Sequence, residues 1–174
     1  QSPPAYASSE TEEPVEIKSD LYADAVSLYE QGLYAEAAHI LERVCPDSGD
    51  FFRSALLTAR SFANIGKLAD ALIWCEKAVC SDKMNPGSHY LLSIVLIELG
   101  RNEEAAASLK RCIYLDNDFA LAHFALGNLS RRKGDRRDSE RHFRNALSIL
   151  SRLGREEVIE EFEGMTAGRL MEII

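Results

Sequence analysis

Residues 66–79 read GKLADALIWCEKAV, and residues 100–118 read GRNEEAAASLKRCIYLDND. Each stretch opens on a glycine and carries an alanine five residues later, Ala71 or Ala105. Nine residues after the glycine stand Cys75 and Leu109, and twelve residues after it Ala78 and Cys112. The two glycines lie 34 residues apart, and one equal step outward on either side lands on Gly32 and Gly134. The same offsets there give Ala37 and Ser139, Leu41 and Phe143, Val44 and Ala146. Seven residues before the four glycines stand Ala25, Ala59, Ser93 and Gly127. A fixed period with small residues on both sides of a glycine is the signature of stacked helical hairpins. The small side chains let the two helices of a hairpin approach, and larger ones such as Leu92, Leu96 and Leu109 fill the space between hairpins. A single hairpin cannot bury its apolar face, so stacking supplies the core.

The chain has 174 residues, 46% of them hydrophobic, which suffices for one domain with a core. It starts at Gln1 rather than Met, which reads as a piece of something longer or a processed product. No apolar run approaches the ~18–20 residues of a membrane span, and no basic start precedes an apolar leader segment. No membrane insertion is therefore expected. The net charge of −8 sits in the tails, four units in residues 1–17 and four in 155–174, while 18–154 sum to zero. That balance disfavours nucleic acid, which calls for a basic stripe. Of the four cysteines, Cys75 and Cys112 occupy lattice positions held elsewhere by Leu, Phe, Ala or Val, and no pair has C-x-x-C spacing. They read as core thiols in a reducing, cytoplasmic setting.

Residues 1–17 are rich in Pro, Ser and Glu and read as a flexible acidic linker, with Ser19 or Asp20 as the cap of the first helix. Residues 18–154 form the array. The pattern predicts helices over 21–31 and 34–44, 51–65 and 68–80, 88–99 and 103–115, 119–132 and 136–153. Asp82, Asn85 and Asp116 to Asp118 fall at the joints as turn and cap residues. Residues 155–174 read as a capping segment. Val158, Ile159 and Phe162 share one face of a short helical turn. Thr166 caps a last helix, 167–174, whose Leu170, Ile173 and Ile174 cover the fourth hairpin.

The helix–Gly–helix unit of period 34 resembles the tetratricopeptide repeat (TPR) over roughly 18–153, most closely in the two stretches quoted first. The family's early aromatic is replaced by Leu21, Ala55, His89 and His123, and its closing proline is missing. The fold class implied is all-α, a right-handed superhelical array of about four hairpins with a C-terminal capping helix. Over the last half, "LAHFALGN" (121–128) and the "TAGRL" ending (166–170) are similar to the C-terminal repeat region of some bacterial chemotaxis-receptor methyltransferases, the CheR family. That resemblance implies a parent chain acting as an S-adenosylmethionine-dependent protein-glutamate O-methyltransferase. Nothing in these residues resembles its cofactor-binding part, so no catalytic residue and no cofactor are expected here.

His89 and His123 hold the same position in adjacent units and would face each other as a metal pair. Without a third ligand at suitable spacing, packing with one nitrogen hydrogen-bonded is the better reading. The paired glutamates Glu103-Glu104, Glu156-Glu157 and Glu160-Glu161 suit helix starts and polar faces rather than acid–base chemistry. Neither metal nor catalysis is assigned.

In arrays that resemble this one the first helix of each hairpin lines a concave groove. Positions ten, six, three and two before each glycine then face it. They read Tyr22, Val26, Tyr29, Glu30; Leu56, Arg60, Ala63, Asn64; Tyr90, Ile94, Ile97, Glu98; Phe124, Asn128, Arg131, Arg132. Aromatics and arginines are favoured interface anchors. The partner-binding residues singled out are Tyr90, Ile94, Ile97, Phe124, Asn128, Arg131 and Arg60. The lysines of a carboxylate clamp are absent from these positions. The expected function is to bind a protein or peptide segment in the groove, as the regulatory end of a chemotaxis-type methyltransferase. The other reading is a free-standing TPR adaptor or a scaffold that self-associates through its apolar groove residues.

Overall fold

The computed structural model describes residues 21–159 and 165–174. Eight helices pair into four hairpins: α1 (Leu21–Glu30) with α2 (Tyr34–Leu41), α3 (Phe51–Asn64) with α4 (Leu68–Ser81), α5 (Pro86–Glu98) with α6 (Asn102–Leu115), and α7 (Ala120–Arg132) with α8 (Arg136–Leu150). A short α9 (Ala167–Ile173) follows. Among the described residues there is no sheet, only an isolated antiparallel bridge between Val158 and Thr166.

The lattice glycines are the only positive-φ residues described, at +74° to +82°. Each closes its helix in the same way. In the third hairpin the Gly100 amide donates to the Ile97 carbonyl at 2.9 Å, and the Arg101 amide to the Leu96 carbonyl at 2.9 Å. This 6→1 and 5→2 pair of bonds is the Schellman ending, which needs a left-handed residue. The residue after each glycine, Leu33, Lys67, Arg101 or Asp135, is at once the third residue past one helix and the N-cap of the next. Only Asp135 caps with its side chain, accepting from the Asp138 amide at 3.0 Å.

A Cβ on Gly100 would meet nothing within 4 Å, so substitution there strains the backbone alone. Gly100→Val is expected to cost about 1–2 kcal/mol because a β-branched residue disfavours positive φ, and Gly100→Asn distinctly less. Thermal melts followed by circular dichroism check this; equal melting of the two variants would mean that the left-handed turn does not limit stability.

Within each hairpin the small residues meet as the sequence expects: Ala25, Ala37, Ala59, Ala71, Ser93 and Ala105 are all 0% exposed. Between hairpins, each second helix packs on the next first helix, α2 on α3, α4 on α5, α6 on α7. Successive first helices also touch, α1 with α3 and α3 with α5, whereas no two second helices meet to that extent. Over the first three hairpins the first helices therefore lie closer together than the second helices and take the inner side of the curve. The core runs the length of the stack, from Leu41 and Leu57 through Phe62, Trp74 and Val95 to Leu109, Leu121 and Leu126.

Element ends shift by a few residues. α5 starts at Pro86, two residues before the expected start, because proline suits the first helical position and the Asn85 side chain accepts from the Ser88 amide at 3.0 Å. α2 ends at Leu41 rather than at 44, and α8 at Leu150 rather than at 153. The segment 156–159 is not the helical turn expected. It runs antiparallel to 165–168, the Ile159 amide donating to Met165 and the Ala167 amide to Glu157, each at 2.9 Å. Thr166 does cap α9, accepting from the Arg169 amide at 3.3 Å. α9 lies on α8 and brings Leu170 (1% exposed) to the core, but Ile173 is 56% exposed and does not share that face. The linker 1–17, the cap candidates Ser19 and Asp20, and Phe162 lie outside the described residues.

Candidate functional site: the inner face of the first helices

The helical period that buries Ala55, Ala59 and Phe62 on α3 leaves Leu56, Arg60 and Ala63 half-buried and Asn64 exposed. The same division holds on the other first helices. Ile94 and Ile97 are half-buried on α5, and Phe124 and Asn128 on α7, while Glu30, Glu98, Arg131 and Arg132 are exposed. Ile94, Ile97 and Phe124 pack on one apolar cluster, so the structure brings them together as a floor.

Tyr90 is the exception. Its ring sits 5.2 Å from that of Phe119, the residue just before α7, and it is 7% exposed. The sequence places Tyr90 in the groove from its own helix alone. The covering ring arrives from the following joint, and Tyr90 is corrected to a core residue.

The polar groups of this face are held in place. Asn64 donates to the Tyr29 hydroxyl at 2.9 Å, tying the first hairpin to the second. The Arg53 guanidinium lies 4.2 Å over the Tyr22 ring. Arg131 donates to the Asn128 side-chain carbonyl at 2.8 Å, and its guanidinium lies 5.4 Å over the ring of Phe143. Arg60 stands near enough to Cys75 to offset part of what burial does there: burial, with help from Glu76, pushes that thiol up to about 12. Such a thiol stays protonated and unreactive. Cys112 is likewise buried, while Cys45 and Cys80 are exposed.

The histidines do not pair as their spacing suggests. His89 has its Nε2 3.2 Å from the Lys83 carbonyl. His123 instead meets His142 across its own hairpin, Nδ1 to Nδ1 at 3.1 Å. Both are buried, and burial lowers both pKa values. Asp138 Oδ2 lies 3.7 Å from His142 Nε2 and accepts from Ser130 at 2.8 Å, a bond that holds Asp138 below the usual carboxylate range. The signal was an offset of 19 residues across the turn. The same offset sets the Ser108 hydroxyl on the His89 carbonyl at 2.8 Å and puts Ala55 and Trp74 in one cluster. Among the described residues no three His, Cys, Asp or Glu side chains gather as a metal site would.

Residues 122–157 match the family described as tetratricopeptide repeat, and residues 30–112 match that described as anaphase-promoting complex, cyclosome, subunit 3. A crystal structure of MamA superposes with a TM-score of 0.71 at 18% identity, over 76% of this chain and 77% of that one. The fold is a tetratricopeptide-repeat array. A MamA fragment from Desulfovibrio magneticus RS-1 gives 0.69 at 20% identity, over 76% and 75%. Identities this low establish the fold alone. No curated protein matches the chain in sequence. TPR arrays are protein-binding modules, and the chemotaxis methyltransferase suggested by the sequence finds no counterpart in these matches. Among the described residues no helix is long and apolar enough to cross a membrane.

Proposed function

We propose that this TPR array binds a segment of a partner protein along the inner face of its first helices, as an adaptor or scaffold. The observation that carries the reading is the apolar floor of Ile94, Ile97 and Phe124, bordered by Asn128, Arg131 and, one hairpin away, Arg60. An apolar centre with a polar rim is what a bound segment requires. Stacked hairpins supply it without a closed cavity. The likeness of 121–128 and 166–170 to a receptor methyltransferase stays a sequence resemblance, and the proposal does not rest on it. Self-association through the same face is the scaffold form of the reading, and sedimentation at rising concentration separates it from a monomeric adaptor.

A photo-cross-linking residue placed at Ile94 or Asn128 is expected to capture a partner in the native cell. The same residue at Glu76 or Lys110, exposed on second helices, is expected to capture none. Phe124→Ala combined with Arg131→Ala should weaken capture roughly tenfold or more, as loss of an anchor does. Capture from Glu76 and Lys110 alone would place the interface on the outer face and end the reading.

A further inference from the structure

The turn of the fourth hairpin reads Arg131-Arg132-Lys133-Gly134-Asp135-Arg136-Arg137. It holds five of the 20 Lys and Arg of a chain whose net charge is −8, so it departs sharply from its surroundings. Two of the five are neutralised at short range: Lys133 by Glu103 at 2.6 Å and Arg136 by Glu140 at 2.8 Å. Arg131, Arg132 and Arg137 are exposed and have no carboxylate partner among the described residues.

Fold stability explains only part of this cluster. Arg131 and Arg132 lie in the last turn of α7, where a cation suits the helix dipole. Arg136 and Arg137 open α8, where the dipole disfavours a cation. The other three hairpins place Tyr34-Ala35, Leu68-Ala69 and Asn102-Glu103 at those two positions, none of them basic. Arg137 thus opposes the dipole, with Asp135 and Asp138 beside it but no direct ion pair among the described residues. Arg131, by contrast, is preorganised. Asn128 accepts from one Nη, and the Phe143 ring lies under the guanidinium, which keeps the remaining N–H groups free at the edge of the groove. Beside it is a recess of about 350 Å³ lined by Arg131, Arg136, Ser139, Glu140, Phe143 and Gly134.

We infer that this cationic rim selects the partner: the segment bound along the groove is acidic, its carboxylates meeting Arg131 and Arg132 while its apolar side chains rest on Ile97 and Phe124. A guanidinium already fixed by a neutral acceptor loses little freedom on meeting a carboxylate, and the bidentate geometry rewards it. Arg137 reaches the same charge from the far side of the turn and acts mainly on the rate of encounter. The inference rests on the groove reading above and adds the chemistry of the occupant.

The test uses the whole chain and two labelled peptides, Glu-Glu-Ile-Glu-Glu-Phe-Glu and its counterpart with every Glu replaced by Gln. Fluorescence anisotropy is expected to show binding of the acidic peptide alone, weakening steadily with added salt. Arg131→Glu combined with Arg132→Glu should weaken it at least ~10-fold, equivalent to ~1.4 kcal/mol. Arg137→Glu should slow association more than it speeds dissociation. Arg43→Glu, exposed in the first hairpin, should change neither. Equal binding of the Gln peptide, or an unchanged affinity in the Arg131/Arg132 variant, overturns the inference. So does displacement of the peptide by duplex DNA or phosphatidylserine vesicles at lower concentrations than by unlabelled peptide, which would assign the rim to phosphates. Groove cross-links that persist while the acidic peptide fails to bind would sink the rim and leave the groove. Peptide binding without groove cross-links would do the reverse.

Discussion

Gly127→Ala is expected to destabilise the fourth hairpin even though alanine is the better helix former. A Cβ on Gly127 would stand 2.5 Å from Cε1 and 2.6 Å from Cδ1 of the Phe143 ring. Overpacking of this kind costs about 1–3 kcal/mol, and the gain in helix propensity offsets about 1 kcal/mol of it. The ring cannot simply swing aside, since Phe124 packs against it at 6.0 Å between centroids and Arg131 lies over it. The other hairpins show how the same two positions are filled otherwise: Ala25 with Leu41, Ala59 with Cys75, Ser93 with Leu109. In the fourth, volume has moved from the first helix to the second. Phe143→Leu introduced into the Gly127→Ala background should therefore recover most of the loss. A double-mutant cycle read by denaturant melts should give a coupling above ~1 kcal/mol. Additive effects of the two substitutions would show that the ring yields freely and that glycine is not required there.

Acid is expected to loosen the same hairpin. His123 and His142 share one proton between their facing Nδ1 atoms, so one donates and the other accepts. The Asn117 backbone also bonds the His123 ring. For His123, burial is the largest cause of its lowered pKa; the Asn117 bond and Asp118 oppose the shift and Arg141 adds to it. For His142 burial again leads, Asp138 opposes, and His123, Arg141 and Lys110 add. A histidine with a lowered folded pKa contributes stability that is complete above its unfolded value, near pH 6.5, and is lost as pH falls through the folded one. The melting temperature should thus hold above pH 7 and fall steadily below about pH 6.5. The second proton costs most, because it sets two imidazolium rings face to face. The first hairpin fills the equivalent positions with Leu21 and Ile40. The variant His123→Leu/His142→Ile should fold and lose much of the decline between pH 7 and pH 5. A decline of unchanged steepness in that variant would assign the acid sensitivity to other groups.

The fold was legible wherever a residue's role depends on its own hairpin. The four glycines mark the turns because a left-handed closure is a local requirement, and the small residues beside them meet because offsets within a hairpin are fixed. Reading failed where one hairpin acts on the next. Tyr90 occupies a groove position in sequence, yet Phe119 closes over it from the following joint. The exception within a hairpin is His123: it shares a position with His89 in the unit before, but His89 turns back to the Lys83 carbonyl while His123 meets His142. The 156–159 segment has helical spacing of its apolar residues, and a backbone pairing with 165–167 overrides it. The cationic turn and the helix that starts at 136 both stand in the sequence; which of its charges are neutralised, Lys133 by Glu103 and Arg136 by Glu140, does not.

The repeated turn has a consequence for how the chain finds its native pairing. Each hairpin closes over three residues, 31–33, 65–67, 99–101 and 133–135, by the same bonds and with the same step. To the backbone, any first helix is an acceptable mate for any second helix, and repeat proteins are prone to such misassembly. The side chains break the tie. Docking α5 against α8 would face Ser93 with Phe143 and give His142 the wrong neighbour, while α7 against α6 would leave a void where Gly127 expects a ring. The unequal fillings of equal positions act as an address, so that a chain built of near-copies still recognises which copy is which.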